Sequence, residues 1–304
     1  MADAKIPLYI ITGFLGSGKT TLLNRLIGRY RERRLGVIVN DFGPLAVDAE
    51  LVRARHGELG QIVEIANGSI FCSCLASDFL EGLTYCARVR PEAVLVETSG
   101  LSDPSNVNFL LRYQPEVREA FNLSGILCVL DAESFPDLFE TVAAVRRQLG
   151  AADLVILNKT DLADSAALER IRQTVREFNP RARLVEARYA DIDLALLDRE
   201  PTVSPGCNGP SINRPESRPD SLLLEEQPPS AERLLEFLKS IEAQVLRIKG
   251  FCRAAGTLYY VDGTKAAIRA QPVPPGPEKL GLSVLCRLQA TDRIREQWKK
   301  ALAK

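Results

Sequence analysis

The sequence predicts an α/β fold: a mostly parallel sheet covered by helices, followed by a small α+β C-terminal unit. Three observations carry this. Apolar, β-rich runs alternate with amphipathic helical stretches through roughly the first 200 residues. The runs are apolar throughout rather than at every second residue, as in a parallel sheet buried on both faces. The composition then shifts across residues 201–230, which hold seven of the chain's 18 prolines, before strands and helices resume.

In chain order, Leu8–Thr12 reads as a first strand, and residues 20–31 as a helix with Leu22, Leu23, Leu26 and Ile27 on one face. Gly36–Asn40, Ile62–Ile65, Ala93–Thr98, Ile126–Asp131, Leu154–Asn158 and Leu184–Ala187 read as further strands. Helices are expected over 75–88, 105–112, 141–149 and 165–178. Beyond the proline-rich stretch, Ala231–Ala243 reads as a helix. Val245–Cys252, Thr257–Val261, Ala266–Ala270 and Leu282–Arg287 read as strands with Gly263 in a turn, and Asp292–Leu302, carrying Trp298, as a last helix. The expected organisation is a first domain over 1–200, a linker over 201–230 and a small domain over 231–304.

Composition narrows the function classes. Of 304 residues, 46% are hydrophobic and 26% charged, and the formal net charge is zero. That balance lacks the basic footprint of a nucleic-acid or anionic-membrane binder, so neither partner is expected. No apolar run reaches membrane-spanning length, and Met1–Pro7 has no signal-like apolar core, so a cytoplasmic protein is expected. Seven cysteines, at 72, 74, 86, 128, 207, 252 and 286, form no disulfide framework and read mostly as buried or incidental free thiols. The one histidine, His56, lies in a polar stretch and reads as a surface residue.

Four segments carry chemistry. Gly13-Phe-Leu-Gly-Ser-Gly-Lys-Thr20, between a strand and a helix, fits the phosphate-loop pattern. Gly13, Gly16 and Gly18 let the backbone wrap an anion, and Ser17, Thr20 and Thr21 lie where it meets the helix N-terminus. Lys19 is placed to reach the β- and γ-phosphates and the Thr20 hydroxyl to ligate Mg²⁺. Asn158-Lys-Thr-Asp161 ends a strand. Asp161 can accept two hydrogen bonds from guanine, whereas adenine would leave its carboxylate unpaired, so GTP is expected over ATP. Lys159 can lay its stem over the base, and Asn158 can tie this loop to the phosphate loop. Val94-Leu-Val-Glu97 ends in a carboxylate suited to the Mg²⁺ shell or the attacking water, and Gly100 follows as a γ-phosphate donor. Asp41, after Val39-Asn40, is a metal-facing candidate, with Asp48 behind it.

This set, in this order, resembles the CobW/HypB/UreG GTPases, closest to their CobW-like branch. Asp131 in Val129-Leu-Asp-Ala and Arg247-Ile-Lys-Gly250 fit that pattern too. The resemblance implies a P-loop NTPase fold and GTP hydrolysis with Lys19, Glu97 and Asp41 as catalytic residues. It also implies a role in inserting a metal or metallocofactor into a client metalloenzyme or corrinoid protein, or in reactivating it. The family's cysteine loop is altered: Ser69 and Phe71 replace its first two cysteines, Cys72 is retained and Cys74 is added. Two thiolates suit Zn²⁺ or another soft metal, and two pairs in a homodimer would give four ligands. Two structural thiols are the other reading, so direct metallochaperone, assembly factor and nucleotide-gated adaptor all stand open at this level. No arginine is evidently placed as a cis finger, so slow intrinsic turnover is expected.

Overall fold

The computed structural model describes residues 4–30, 32–40, 61–65, 76–193, 220–264, 267–274, 280–286 and 290–303. Seven strands form one parallel sheet in the order β3-β2-β4-β1-β5-β6-β7. They are β1 (Ile6–Thr12), β2 (Leu35–Asn40), β3 (Gln61–Ile65), β4 (Ala93–Glu97), β5 (Phe121–Asp131), β6 (Leu154–Asn158) and β7 (Arg183–Glu186). The helices of this region are α1 (Lys19–Arg29), α2 (Ala76–Val89), α3 (Val107–Tyr113), α4 (Pro115–Ala120), α5 (Phe135–Thr141), α6 (Ala143–Ala151) and α7 (Ser165–Phe178).

Side-chain alternation explains why the strands are apolar throughout. Ile10, Ile38, Val94 and Val96 join one core with Phe79 and Leu83 of α2. Their strand neighbours Ile11, Val37, Val39 and Leu95 join a second core, with Leu22, Leu23 and Leu26 of α1. Every residue of β2 and of β6 is buried. Strand β1 lies between β4 and β5, so the chain reverses direction across the sheet at β1. The crevice at the carboxyl ends of such strands is where ligands sit in open α/β sheets.

A second, antiparallel sheet has the order β11-β10-β9-β12-β8. It comprises β8 (Asp220–Leu224), β9 (Val245–Ala254), β10 (Thr257–Thr264), β11 (Ala267–Pro272) and β12 (Gly281–Cys286). Helices α8 (Ala231–Ile241) and α9 (Thr291–Leu302) cover one face. Leu234, Phe237, Leu238 and Ile241 face the core at helical spacing, as do Ile294, Trp298 and Ala301. Phe237 meets Trp298 edge to face at 4.6 Å, and the indole N–H donates to Glu226 Oε2 at 3.0 Å. The backbone N–H of Glu226 and that indole hold the Glu226 carboxyl below its ordinary range.

Three local expectations change. Residues 220–224, read as linker, form β8 against β12, because Leu222 and Leu224 alternate into the core. Gly263 lies within β10, facing Ile268, where a side chain would strike the neighbouring strand. Strand β5 begins at Phe121 rather than Ile126: Asn122 and Ser124 interrupt its apolar pattern, and pairing with β1 continues past a register shift at Ser124.

Candidate functional site

At the carboxyl end of β1 the chain turns through Gly13, Gly16 and Gly18, with φ of 137°, 78° and 111°. These values lie where a side chain is strained, and a Cβ on Gly13 would sit 2.2 Å from the Val129 carbonyl oxygen. The turn closes with Ser17 N–H donating to Phe14 O at 3.3 Å. Helix α1 starts on Gly18 without a side-chain cap, so its first N–H groups open toward the cradle. Lys19 is buried and donates from Nζ to Phe14 O at 3.1 Å, across the loop it belongs to. Ser17 Oγ is buried without a hydrogen-bond partner among the described residues. An unpartnered buried hydroxyl beside a glycine cradle suits an anionic ligand.

Strand β4 brings a carboxylate to the same place. Ile11 lies in register with Glu97, which is 2% exposed. Thr20 Oγ1 donates to Glu97 Oε1 at 2.7 Å, joining two hard oxygen ligands of the kind Mg²⁺ takes. Next, Ser99 N–H donates to Asn40 Oδ1 at 3.3 Å, linking the end of β4 to the end of β2. Gly100 presses on the phosphate loop: a Cβ there would lie 2.5 Å from Leu15 Cδ2 and 2.7 Å from Leu15 N. Buried Gln148 of α6 donates from Nε2 to Gly100 O at 3.1 Å and to Ser102 O at 2.9 Å. Asp103 accepts from Ser105 N–H and Oγ at 3.1 and 2.6 Å and starts a 3-10 turn. The loop after β4 is thus clamped between the phosphate loop and α6.

The other end of the site lies at β5, β6 and β7, where Asp131 is in register with Asn158. Asn158 Nδ2 donates to Ser17 O at 2.8 Å, and its Oδ1 accepts from Ala190 N–H at 2.8 Å. Lys159 Nζ pairs with Asp131 Oδ2 at 2.6 Å, which fixes the lysine stem along the loop. Asp161 sits exposed in the 3-10 turn Thr160–Leu162. Thr160 Oγ1 donates to Ala187 O at 3.1 Å, so the segment after β7 closes the pocket. Arg25 of α1 anchors that segment from Nε to Tyr189 O at 2.9 Å and from Nη1 to Asp191 Oδ1 at 3.0 Å. Lys159, Tyr189 and Ala190 all adopt positive φ, so non-glycine residues in left-handed conformation collect here.

The described structure brings together Gly13, Gly16, Ser17, Gly18, Lys19, Thr20, Thr21, Glu97, Gly100, Asn158, Lys159 and Asp161 along one sheet edge. Asp41, Asp48, His56, Cys72 and Cys74 lie outside the described residues. The roles of Gln148, Arg25 and residues 188–190 escaped the sequence reading, because their contacts are long-range and mostly to main chain, which leaves no motif. Cys86, Cys128, Cys252 and Cys286 are buried free thiols, as expected. Burial pushes Cys128 up to about 12, with the Lys19 charge pulling weakly the other way. No group of three or more His, Cys, Asp and Glu suited to a metal occurs among the described residues. No described helix is long and apolar enough to cross a membrane.

The chain is 33% identical over 223 residues to the zinc chaperone CobW of Sinorhizobium sp, covering 64% of this chain and 62% of that protein. It is 30% identical over 198 residues to the zinc chaperone YjiA of Escherichia coli, covering 63% and 60%. It is 28% identical over 197 residues to the zinc-regulated GTPase metalloprotein activator 1 of Schizosaccharomyces pombe, covering 62% and 47%. The alignments thus span about 60% of the length of the first of these relatives. In fold, the chain resembles a zinc-bound triple mutant of the YjiA GTPase, at 21% identity and a TM-score of 0.50 over 99% of this chain and 100% of that one. Residues 7–186 match the family described as CobW/HypB/UreG, nucleotide-binding domain, and the chain belongs to that family.

Proposed function

We propose that this protein binds and hydrolyses GTP·Mg²⁺ and uses the cycle to assist metal or metallocofactor insertion into, or reactivation of, a client enzyme. One observation carries the nucleotide assignment. Asn158 bonds the phosphate loop at Ser17 O while Asp161, three residues on, presents an exposed carboxylate. A group that pairs with guanine is thereby mounted at a fixed offset from an anion cradle. In this reading residues 1–200 form the catalytic unit and the second sheet, from β8 onward, forms the unit that meets the client.

The chemistry assigned to the chain's own residues is positional and electrostatic. The N–H groups of residues 16–20 and the Lys19 ammonium hold the phosphate oxygens where charge develops during in-line attack by water. On binding, Lys19 exchanges the Phe14 carbonyl for phosphate. Thr20 and Glu97 supply the protein oxygens for Mg²⁺, which when bound neutralises phosphate charge. The Gly100 N–H, held over Leu15 by Gln148, reports the γ-phosphate to the loop that follows. Asp41, which follows Asn40 in the sequence, completes the assignment as a second carboxylate.

Nucleotide specificity gives the test. Asp161→Asn should weaken GTP binding about 10³-fold, because an amide cannot accept both guanine donors. Xanthosine triphosphate, which has an acceptor where guanine has its amino group, should restore binding to the variant. GTP binding unchanged in the variant would sink the guanine assignment.

The names of the relatives favour a second reading, direct zinc delivery, with Cys72 and Cys74 as soft ligands across a homodimer. Zinc titration of wild type and of Cys72→Ser/Cys74→Ser, with GTP and with GDP, separates the two. A nucleotide-dependent zinc site lost in the double variant supports delivery. Zinc affinity indifferent to both changes leaves the assembly-factor reading.

A further inference from the structure

The second sheet has one face under α8 and α9 and one face turned elsewhere. Ile248 points into the helix-covered core, so Arg247 and Lys249, on either side of it, project from the opposite face. On β10, Val261 joins the same core, so Asp262 and Thr264 share that opposite face. This face meets the phosphate loop. A Cβ placed on Gly16 would lie 3.2 Å from Thr264 Cγ2 and 3.7 Å from Arg247 Nη1.

Arg247 is held by a carboxylate on the neighbouring strand. Its Nη2 pairs with Asp262 Oδ1 at 2.6 Å, with side-chain exposures of 19% and 40%. The pair fixes where the guanidinium points. The Nη1 edge then faces Gly16, in the middle of the cradle whose N–H groups are aimed at an anion. A guanidinium is always charged and offers donors in a fixed fork that matches phosphate oxygens. The sequence offered no evident cis arginine for the phosphates, and the fold brings one from the second sheet.

We propose that Arg247 is a phosphate-reading residue. It contacts the phosphate chain of the bound nucleotide through its Nη1 edge, is oriented by Asp262, and makes the seating of the second sheet depend on the terminal phosphate. The ligand class is a nucleoside triphosphate as opposed to the diphosphate. This rests on the reading of Gly13–Thr20 as a triphosphate site.

The test uses the full chain and two readouts. Affinities for GDP and for a non-hydrolysable GTP analogue, both with Mg²⁺, are measured for wild type, Arg247→Ala, Arg247→Lys and Asp262→Asn. Trp298, the sole tryptophan, sits in the second-sheet core and reports its environment by fluorescence during each titration. Arg247→Ala should lower the preference for the triphosphate about tenfold, with GDP affinity within about twofold, since one charge-assisted contact is lost. The difference in Trp298 emission between the two nucleotides should vanish with it. Arg247→Lys should fall between, keeping the charge without the fork. Asp262→Asn, which removes the orienting charge, should lower the triphosphate preference in the same direction as Arg247→Ala but by less. An unchanged preference in Arg247→Ala overturns the proposal, and should that variant not fold, an unchanged preference in Arg247→Lys does so. Wild type failing to bind either nucleotide would strike the reading of the loop itself, and this proposal with it.

Discussion

The two ends of the site are built by opposite means. The phosphate end is shaped chiefly by main chain: three glycines at positive φ, open helix N–H groups, and a loop pinned by Gly100 against Leu15. The base end is side chain: Asn158, Lys159 and Asp161 on loops that hold non-glycine residues in left-handed conformation. The difference follows from the ligand. A phosphate chain is the same for every nucleotide, so a fixed cradle of N–H groups serves, and glycine is obligatory. A base must be told from other bases, so particular side chains are needed, and the backbone there carries strain of about 1 kcal/mol per residue.

Gly13→Ala should give the largest effect and tests whether the phosphate end is as unforgiving as its geometry. The new methyl would meet Val129 O at 2.2 Å in a conformation already hostile to a side chain. A loss of about 3 kcal/mol is expected, lowering Tm by about 6–12 °C. Gly28→Ala, in α1 with nothing within 4 Å, is the control and should raise stability by about 0.5–1 kcal/mol. Equal melting of the two variants would break the contrast.

Asp131→Asn tests the base end. It removes the 2.6 Å ion pair that fixes Lys159 and should weaken GTP and GDP equally, by about three- to tenfold. The single-turnover rate at saturating GTP should stay within about twofold, because the phosphate end is untouched. A change confined to that rate would show that the ends are not separable.

The smallest effect is in alkaline stability at the phosphate end. Cys128 lies in register with Thr12, and its thiol is raised from 9.0 to about 12 by burial. A raised acid favours the protonated form in the fold. Its contribution is therefore complete below pH 9 and is lost as pH rises toward 12. Cys128→Val should flatten the decline of Tm between pH 8 and pH 10, an effect of about 1 kcal/mol at the upper end. A decline of unchanged slope would assign it to Cys86, Cys252 and Cys286, which burial also raises.

What was legible in the sequence follows the same divide. Local chemistry wrote itself locally: the glycine spacing at 13–18, the apolar strand ending in Glu97, and Asn158-Lys-Thr-Asp161 could all be read, because a turn or a strand end constrains its own residues. Long-range contacts did not. Gln148 grips Gly100 O and Ser102 O from α6, and an isolated glutamine in a helix carries no sign of that. Ala190 meets Asn158 through a main-chain N–H that every residue but proline owns. Arg247 reaches Gly16 only because two sheets meet there. Strand β8 was hidden by the prolines that precede it. The metal question rests on Cys72 and Cys74, which lie outside the described residues.

Asn158 has a consequence for fidelity. One side chain holds Ser17 O with its amide and Ala190 N–H with its oxygen. The base-side loop and the phosphate cradle are therefore spliced through a single hinge pin. A wrong base that shifts the loop by a fraction of an ångström should drag the cradle out of alignment. Discrimination would then be felt twice, once in how tightly a nucleotide is held and again in how fast it is turned over. Asn158→Ala should uncouple the two, leaving residual binding in which a triphosphate with the wrong base is hydrolysed as readily as one with the right base.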